Sequence, residues 1–332
     1  MRGSETEGMP GARELLTSVG RKKGEVVVEN QIGIHALVLE REWSTEAAVR
    51  AVGTAASIGY DVLELPVFDP ALLETAHVRR AAEKRGLTLT CSLGLPFDAD
   101  VSSADAAVAA RGERLLAEVI DTAAALGAGV VAGVIHSAMG KHPAPADERN
   151  RATAAGILRH LADRAAEAGI VLGLEVVNRY ESNLVNTAAS CAALVEAIGR
   201  ENVVVHLDSY HMNIEERSAL DAVIDCRGRL GYVHVGESNR GYLGAGSVDL
   251  AGLVRALSHV DYSGIITFEA FSRYQVVPQL AATLSLWREV WSDPNDLAAH
   301  ALSTLRGQLR AESAGAGKEM ARATATGCPP GS

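Results

Sequence analysis

The sequence predicts an α/β fold, a single-domain (β/α)₈ or TIM barrel with disordered tails. Apolar, strand-like runs alternate eight times with Ala-rich helical stretches, an alternation typical of a parallel sheet covered by helices. Five helical stretches are followed by a glycine, which favours the left-handed cap at a helix C-terminus: Gly59, Gly86, Gly127, Gly169 and Gly199. Eight such units within 332 residues, of which 48% are hydrophobic, indicate closure into one barrel.

The eight units follow one another along the chain. Each predicted strand is a short run rich in Val, Ile and Leu, as expected where both faces of a parallel sheet are covered, and the predicted helices are rich in good helix formers. The first four strand and helix pairs are 32–39 with 45–58, 61–65 with 70–85, 87–93 with 104–126, and 130–135 with 147–168. The last four are 170–177 with 187–198, 203–208 with 218–225, 231–235 with 250–259, and 265–271 with 277–291. A further helical segment, 297–310, is expected to pack on the barrel.

Residues 25–311 are predicted to form the barrel, between flexible tails at 1–24 and 312–332. Both tails are rich in Gly and in small or charged residues and show no regular hydrophobic period. An open doubly wound sheet is the alternative fold. It would be expected to carry a Gly-x-Gly-x-x-Gly fingerprint after its first strand, whereas the pair Gly244 and Gly246 lies late in the chain.

Composition disfavours several classes of function. The formal net charge is −10 and only 4% of the residues are aromatic, so no nucleic-acid partner is expected. The four cysteines are far apart and form no Cys-x-x-Cys pair, which indicates a reduced interior. The chain opens without the pattern of a secretory signal peptide, and Asp121 and several glycines interrupt its apolar run around residues 119–134. We therefore expect a cytoplasmic protein with no membrane partner.

Charged or polar side chains end four consecutive predicted strands. Glu175, Asp208, His234 and Glu269 follow apolar runs in strands five to eight. The C-terminal ends of all strands in a parallel barrel meet at one mouth, so these side chains are expected to lie together. Any one of them alone would more often be a helix cap or a salt-bridge partner. Three carboxylates and one imidazole together predict a site for a divalent ion such as Mn²⁺, Co²⁺ or Mg²⁺.

Other polar residues near the predicted mouth carry less weight. His136 and His142 follow strand four and His206 lies within strand six, and we assign structural roles to all three. Arg240 differs from them because it follows strand seven by a few residues, where its planar guanidinium would place a fork of hydrogen-bond donors over the mouth.

Four motifs carry a resemblance to a known family. They are residues 175–181 (EVVNRYE), 206–216 (HLDSYHMNIEE), 233–240 (VHVGESNR) and 267–271 (TFEAF). In these motifs the chain resembles the D-tagatose, D-allulose (D-psicose) and L-ribulose 3-epimerases, which are ketose 3-epimerases of the xylose-isomerase-like barrel superfamily. The resemblance covers residues 33–310 and implies a homodimer or a homotetramer. One departure is Leu39, which stands where close relatives often carry Trp, at the far end of the sugar.

The resemblance also implies roles for individual residues. The four strand-end residues occupy the positions that bind the divalent ion, and Glu175 and Glu269 among them act as acid and base. Glu181, His211 and Arg240 occupy the positions that hold the C1 and C2 end of the ketose.

The resemblance implies a metal-dependent epimerase that inverts C3 of free ketoses, interconverting D-fructose with D-allulose, L-ribulose with L-xylulose, or D-tagatose with D-sorbose. Inversion through a cis-enediolate requires a proton to leave one face of C3 and another to arrive on the opposite face, which two carboxylates can perform and a single fixed base cannot. Mn²⁺ is the expected ion, with Co²⁺ or Mg²⁺ as alternatives.

Three rival functions remain from the sequence. They are an aldose–ketose isomerase or epimerase of sugars or sugar phosphates, an endonuclease IV-like metallohydrolase and non-catalytic sugar binding. The acidic net charge disfavours the endonuclease, and the scarcity of Arg and Lys in the predicted mouth loops disfavours phosphorylated substrates. Non-catalytic binding would not explain why four polar side chains, which are unfavourable to bury, end consecutive strands.

Overall fold

The chain folds into a closed barrel of eight parallel strands. The structure is a computed structural model that describes the backbone of residues 30–325 and the side chains of residues 30–315. Its strands are β1 (Ile32–His35), β2 (Val62–Pro66), β3 (Thr88–Leu95), β4 (Val130–Ala138), β5 (Val171–Glu175), β6 (Val203–Asp208), β7 (Leu230–Val235) and β8 (Ile266–Phe268). Each strand pairs with the next along the chain and β8 pairs back with β1, which confirms the predicted barrel.

Helices connect the strands and surround the barrel. They are α1 (Thr45–Ile58), α2 (Thr75–Arg85), α3 (Ala106–Leu126), α4 (Glu148–Glu167), α5 (Ala188–Ile198), α6 (Ser209–Glu215), α7 (Ala219–Cys226), α8 (Leu250–His259), α9 (Pro278–Thr283) and α10 (Pro294–Ala325). Capping side chains fix several helix starts, as where Ser44 accepts a hydrogen bond from the Ala47 amide in α1. The five glycines that the sequence places after helices all have positive φ, between 66° and 105°, a backbone that glycine adopts with little strain.

Two apolar regions hold the barrel together. The larger lies between the strands and the helices and includes the fully buried Leu63, Leu65 and Leu158. The second fills the interior near the strand starts, with side chains such as Val171 and Val204. Each fully buried aliphatic side chain of this kind stabilises the fold by about 1.5–3 kcal/mol. The interior near the strand ends is polar instead, which places the chemistry at the C-terminal mouth.

The end of the barrel differs from the sequence prediction. β8 stops at residue 268 rather than 271, and the helix predicted over 277–291 is reduced to α9. Ser285 adopts a left-handed backbone, with φ 55°, just beyond α9 and ends the helix there. Leu280 and Leu284 face the cavity at the mouth, in an apolar cluster with Phe271, rather than the outer wall. The place on the outer wall is taken by α10, which packs against α1 and α8.

The helix α6 is an additional element that lies between strand six and the helix predicted over 218–225. It begins directly after β6, where Asp208 accepts a hydrogen bond from the Tyr210 amide at 2.8 Å. The carboxylate that ends the strand therefore also caps a helix.

The chain ends are described only in part. The predicted N-terminal tail over 1–24 lies outside the described residues, as do 25–29 and 326–332 with Cys328. The sequence predicts a second tail over 312–332, and α10 extends into this range as far as Ala325. Cys91, Cys191 and Cys226 are buried free thiols. Within residues 30–325, no helix combines the length and the apolar character needed to cross a bilayer.

Candidate active site

Four side chains from neighbouring strands converge at the mouth of the barrel. Glu175 and Asp208 end β5 and β6, His234 lies in β7 and Glu269 directly follows β8. One nitrogen or oxygen atom from each lies within 4.8 Å of the others, and all four residues are buried. The strand register produces this, because Asp208 pairs with His234 across β6 and β7. The structure thus brings together the four residues that the sequence places at strand ends.

The imidazole of His234 lies between the Glu64 carboxylate on one side and those of Glu175 and Glu269 on the other. Its Nε2 lies 2.8 Å from Oε2 of Glu64 on β2, inside the barrel. Its Nδ1 faces the cluster, 3.6 Å from Glu269 Oε1 and 3.9 Å from Glu175 Oε1, and is buried without a hydrogen-bond partner. A buried nitrogen without a partner beside three carboxylates is costly unless a cation or a proton occupies the space. The donor set therefore fits a divalent ion.

Burial shifts the protonation of these groups. Burial and the neighbouring carboxylates Glu269 and Asp208 raise the pKa of Glu175 well above its usual value, against the attraction of His234. Burial likewise raises the pKa of Asp208, although the Arg240 guanidinium opposes the change. Burial alone would lower the pKa of His234, but the charges of Glu64 and Glu269 and the hydrogen bond to Glu64 outweigh it and raise this pKa to about 10. Without a cation the cluster therefore holds protons.

Arg240 is the cation that the protein itself supplies to this cluster. Its side chain is buried, with Nη1 2.6 Å from Glu269 Oε2 and 3.3 Å from Asp208 Oδ2. The guanidinium carbon lies 3.7 Å from the centre of the Tyr210 ring, so the flat face of the ion stacks on an aromatic surface. The two carboxylates and the Tyr210 ring thus hold in place the guanidinium that the sequence predicts over the mouth.

The backbone of Arg240 is in an unusual conformation that its loop maintains. Its φ is 60°, in the left-handed region that favours glycine. The Trp291 indole N–H donates to the Arg240 carbonyl at 3.1 Å. The buried Glu237 carboxylate accepts from three backbone amides of the loop, those of Ser238, Gly244 and Val248. These bonds hold the loop that aims the guanidinium.

Glu181 and His211 are linked by a residue to which the sequence reading gave no role. The Asn178 amide nitrogen Nδ2 donates to Glu181 Oε1 at 2.9 Å and lies 2.8 Å from His211 Nδ1. Burial and Arg240 lower the pKa of His211 well below its usual value, so the ring is neutral. Since Nδ1 accepts from Asn178, Nε2 carries the hydrogen, and it faces Glu175 Oε1 and Asp208 Oδ2 at 3.7 Å each. Burial also raises the pKa of Glu181.

A cavity that opens to solvent at the barrel mouth lies beside the cluster. His35 and Ser92 add polar atoms to its floor, with His35 Nε2 3.2 Å from Ser92 Oγ. The remaining wall is apolar and includes Leu37, Phe68, Leu93, Val134, Met139 and Leu280. Leu39, the departure noted in the sequence, is not among the lining residues and packs at the edge of the core. Of the described residues that line the cavity, Arg240 alone has a guanidinium or ammonium group.

The other histidines near the mouth have distinct surroundings. His136 Nε2 lies 2.9 Å from the Glu175 carbonyl and ties β4 to the end of β5. His142 Nε2 lies 2.9 Å from the Ala138 carbonyl. His206 is fully buried beneath His234, with ring centres 4.1 Å apart, and neither of its nitrogens has a hydrogen-bond partner.

Sequence reasoning also missed Glu64, the fully buried partner of His234. The signal was present, because a single Glu interrupts the apolar run Val62-Leu-Glu-Leu-Pro66. It was overlooked because it lies in the middle of a strand, whereas the other candidates lie at strand ends.

Comparisons with known proteins agree with one another. The family model described as "Xylose isomerase-like TIM barrel" matches residues 52–307. The chain is 45% identical to an L-ribulose 3-epimerase of Methylomonas sp. over 276 residues, 83% of this chain and 96% of that protein. It is 42% identical to a ketose 3-epimerase of Arthrobacter globiformis over 85% of this chain and 97% of that protein. A crystal structure of D-allulose 3-epimerase from Methylomonas sp. in complex with D-allulose is similar with a TM-score of 0.82 and 44% identity, covering 84% of this chain and 97% of that chain.

Proposed function

The chain belongs to the xylose isomerase-like TIM barrel family, among relatives that are ketose 3-epimerases, and on this premise we propose that it inverts C3 of free ketoses. The observation that carries the proposal is the pair of buried carboxylates, Glu175 and Glu269, whose oxygens lie within 4.8 Å of one another beside a cavity at the barrel mouth. The substrate pairs proposed are L-ribulose with L-xylulose, D-fructose with D-allulose, and D-tagatose with D-sorbose.

Glu175, Asp208, His234 and Glu269 would hold the divalent cation. We propose Mn²⁺, with Co²⁺ or Mg²⁺ as alternatives, because three carboxylates and one imidazole form an oxygen-rich set with a single nitrogen. When bound, the cation would stabilise negative charge that develops on the ketose oxygens in the transition state.

The two glutamates would move the proton. One carboxylate removes the C3 proton, and the electron pair of the C–H bond passes into the C2 carbonyl to give the cis-enediolate. The other carboxylate returns a proton to the opposite face of C3, and the roles exchange in the reverse reaction. Glu269 is paired with the Arg240 guanidinium at 2.6 Å, whereas Glu175 has no such partner, so the two sites are chemically unequal.

Glu181, His211 and Arg240 would hold the C1 and C2 end of the ketose. The His211 Nε2–H and the guanidinium supply donors for sugar oxygens, and the Glu181 carboxylate supplies an acceptor for a hydroxyl hydrogen. The apolar remainder of the cavity, with Arg240 as its only guanidinium or ammonium among the described lining residues, favours free over phosphorylated ketoses. We further propose a homodimer or homotetramer, as the family resemblance implies, and a cytoplasmic location, as the composition predicts.

The reaction is tested by incubating free and phosphorylated ketoses with metal-loaded enzyme in D₂O. We expect a C3 epimer of a free ketose, and its C3 proton signal should be lost in the first product formed, because the proton returned comes from a carboxylate that has exchanged with solvent. Proton NMR reads the label position directly. A product that keeps its C3 hydrogen, or that carries deuterium at C1, would contradict the proposal and indicate an aldose–ketose isomerase.

A further inference from the structure

A buried carboxylate beneath the proposed metal site has no part in the proton transfers. Glu64 lies on β2, three strands around the barrel from β7, and is fully buried. Its Oε2 accepts hydrogen bonds from the Tyr232 hydroxyl at 2.7 Å and from His234 Nε2 at 2.8 Å. Its Oε1 has no hydrogen-bond partner and lies 3.7 Å from His35 Nε2.

The contact to His234 decides which ring nitrogen can bind a cation. An ionised carboxylate accepts hydrogen bonds and donates none, so the nitrogen that faces Glu64 carries the hydrogen. In a neutral ring the other nitrogen, Nδ1, then has a free lone pair. That atom faces Glu175 and Glu269 at 3.9 and 3.6 Å.

We propose that Glu64 is a positioning residue that fixes the tautomer and the ring direction of His234, so that Nδ1 binds the divalent cation. This inference rests on the proposed metal site and assigns to Glu64 no contact with the sugar. A carboxylate in this place also makes the ring a stronger donor to the cation.

The surroundings of Glu64 disfavour a purely structural role. Tyr232 has two further partners, Thr90 Oγ1 and Thr267 Oγ1, both at 2.9 Å, and would remain hydrogen-bonded without the carboxylate. An amide could fill the same space without the cost of burying a charge. A glutamine, however, could turn its NH₂ group towards His234 and favour the opposite tautomer, with a hydrogen on Nδ1. Only the carboxylate excludes that arrangement.

The test compares Glu64→Gln with Tyr232→Phe, which removes the other hydrogen bond to the same oxygen and leaves the His234 contact intact. Chelator-treated protein is titrated with Co²⁺ by calorimetry, and its visible absorption is recorded. Glu64→Gln should weaken Co²⁺ binding by about 10- to 100-fold and change the Co²⁺ spectrum. Tyr232→Phe should bind within about threefold of wild type with an unchanged spectrum. Glu64→Gln binding within threefold of wild type, or equal losses in both variants, would overturn the inference.

A measurement on the unaltered protein keeps the inference testable if Glu64→Gln fails to fold. In Mg²⁺-loaded protein with ¹⁵N-labelled histidine, the His234 signal should show a hydrogen on Nε2 and none on Nδ1, and a hydrogen on Nδ1 would overturn the inference. His234→Gln provides the assignment and a reference titration. Should His234→Gln bind Co²⁺ as wild type does, the metal site itself is wrong; should only Glu64→Gln do so, the metal site stands and the role of Glu64 fails.

Discussion

Replacement of Arg240 by lysine tests whether a planar fork, and not merely a positive charge, is needed at the mouth. One guanidinium nitrogen reaches both Glu269 and Asp208, at 2.6 and 3.3 Å, while the flat face of the group lies on Tyr210. A lysine ammonium is a point charge on a flexible stem and cannot keep the carboxylates and the aromatic face together. The left-handed backbone at residue 240 is equally unfavourable for Arg and Lys, so it does not affect the comparison.

The size of the effect follows from the contacts that would be lost. A hydrogen bond to a charged group contributes about 1.5–3 kcal/mol. If Arg240→Lys loses one such bond in the transition state, kcat/KM should fall by about 10- to 150-fold, at about 1.4 kcal/mol per factor of ten. The loss of stacking on Tyr210 should also reduce the free energy of unfolding by about 0.5–2 kcal/mol.

The assay is the initial rate of C3 epimerisation at saturating metal, together with thermal unfolding. Arg179→Lys is a matched control, because Arg179 belongs to the same motif as Glu175 but its side chain faces solvent and pairs with Glu215 at 2.7 Å. Its kcat/KM should stay within about twofold of wild type, since neither residue of this pair lines the cavity. Arg240→Lys activity within threefold of wild type, or a loss no larger than that of the control, would refute the reasoning.

Three further predictions concern the cation, the protonation of the cluster and the catalytic pair. Chelation should abolish activity and lower the Tm, because a ligand at about 100 times its Kd stabilises the folded state by about 2.7 kcal/mol; full activity of the metal-free protein would contradict this. The raised pKa values of Glu175, Asp208 and His234 stabilise the metal-free protein at low pH, and this stability is lost as pH rises. The lowered pKa values of His35, His136, His206 and His211 act in the opposite direction only below the ordinary histidine pKa of about 6.5, so the Tm should fall between about pH 7 and 10, and a rise there would contradict this. Glu269→Gln should reduce turnover by about 10²- to 10⁴-fold while weakening metal binding much less, because the amide oxygen can bind the cation but cannot exchange a proton; turnover within tenfold of wild type would remove Glu269 from its proposed role.

The sequence predicts most of the fold because the local signals and the final structure agree. The five glycines after the predicted helices all turn the chain with positive φ. The segment after β8 was mispredicted because its apolar spacing resembles that of a wall helix, while Leu280 and Leu284 face the cavity at the mouth. Hydrophobic periodicity shows that a face is buried, but it does not show which surface the face covers.

A similar limit of sequence patterns explains why some residues of the candidate site were predicted and others were not. Glu175, Asp208, His234 and Glu269 were found because a closed parallel barrel turns a strand-end position into spatial proximity. Glu64 reaches its partner across the interior, and Asn178 acts through a side-chain bond to Glu181 and His211, so neither relation follows from strand order. The resemblance gave Leu39 in place of an aromatic residue at the far end of the sugar; Leu37, and not Leu39, lines the cavity.

The hydrogen bond between Glu64 and His234 also bears on how the chain folds. It joins residues 170 positions apart, on strands β2 and β7, which lie on either side of the β1–β8 pair that closes the barrel. Contacts of such long sequence separation are expensive in loop entropy and form late, after most local units have appeared. A cation whose binding is strengthened by this contact will stabilise the native barrel more than an early folding intermediate. Bound metal will therefore act mainly by slowing the opening of the barrel and leave its rate of formation almost unchanged.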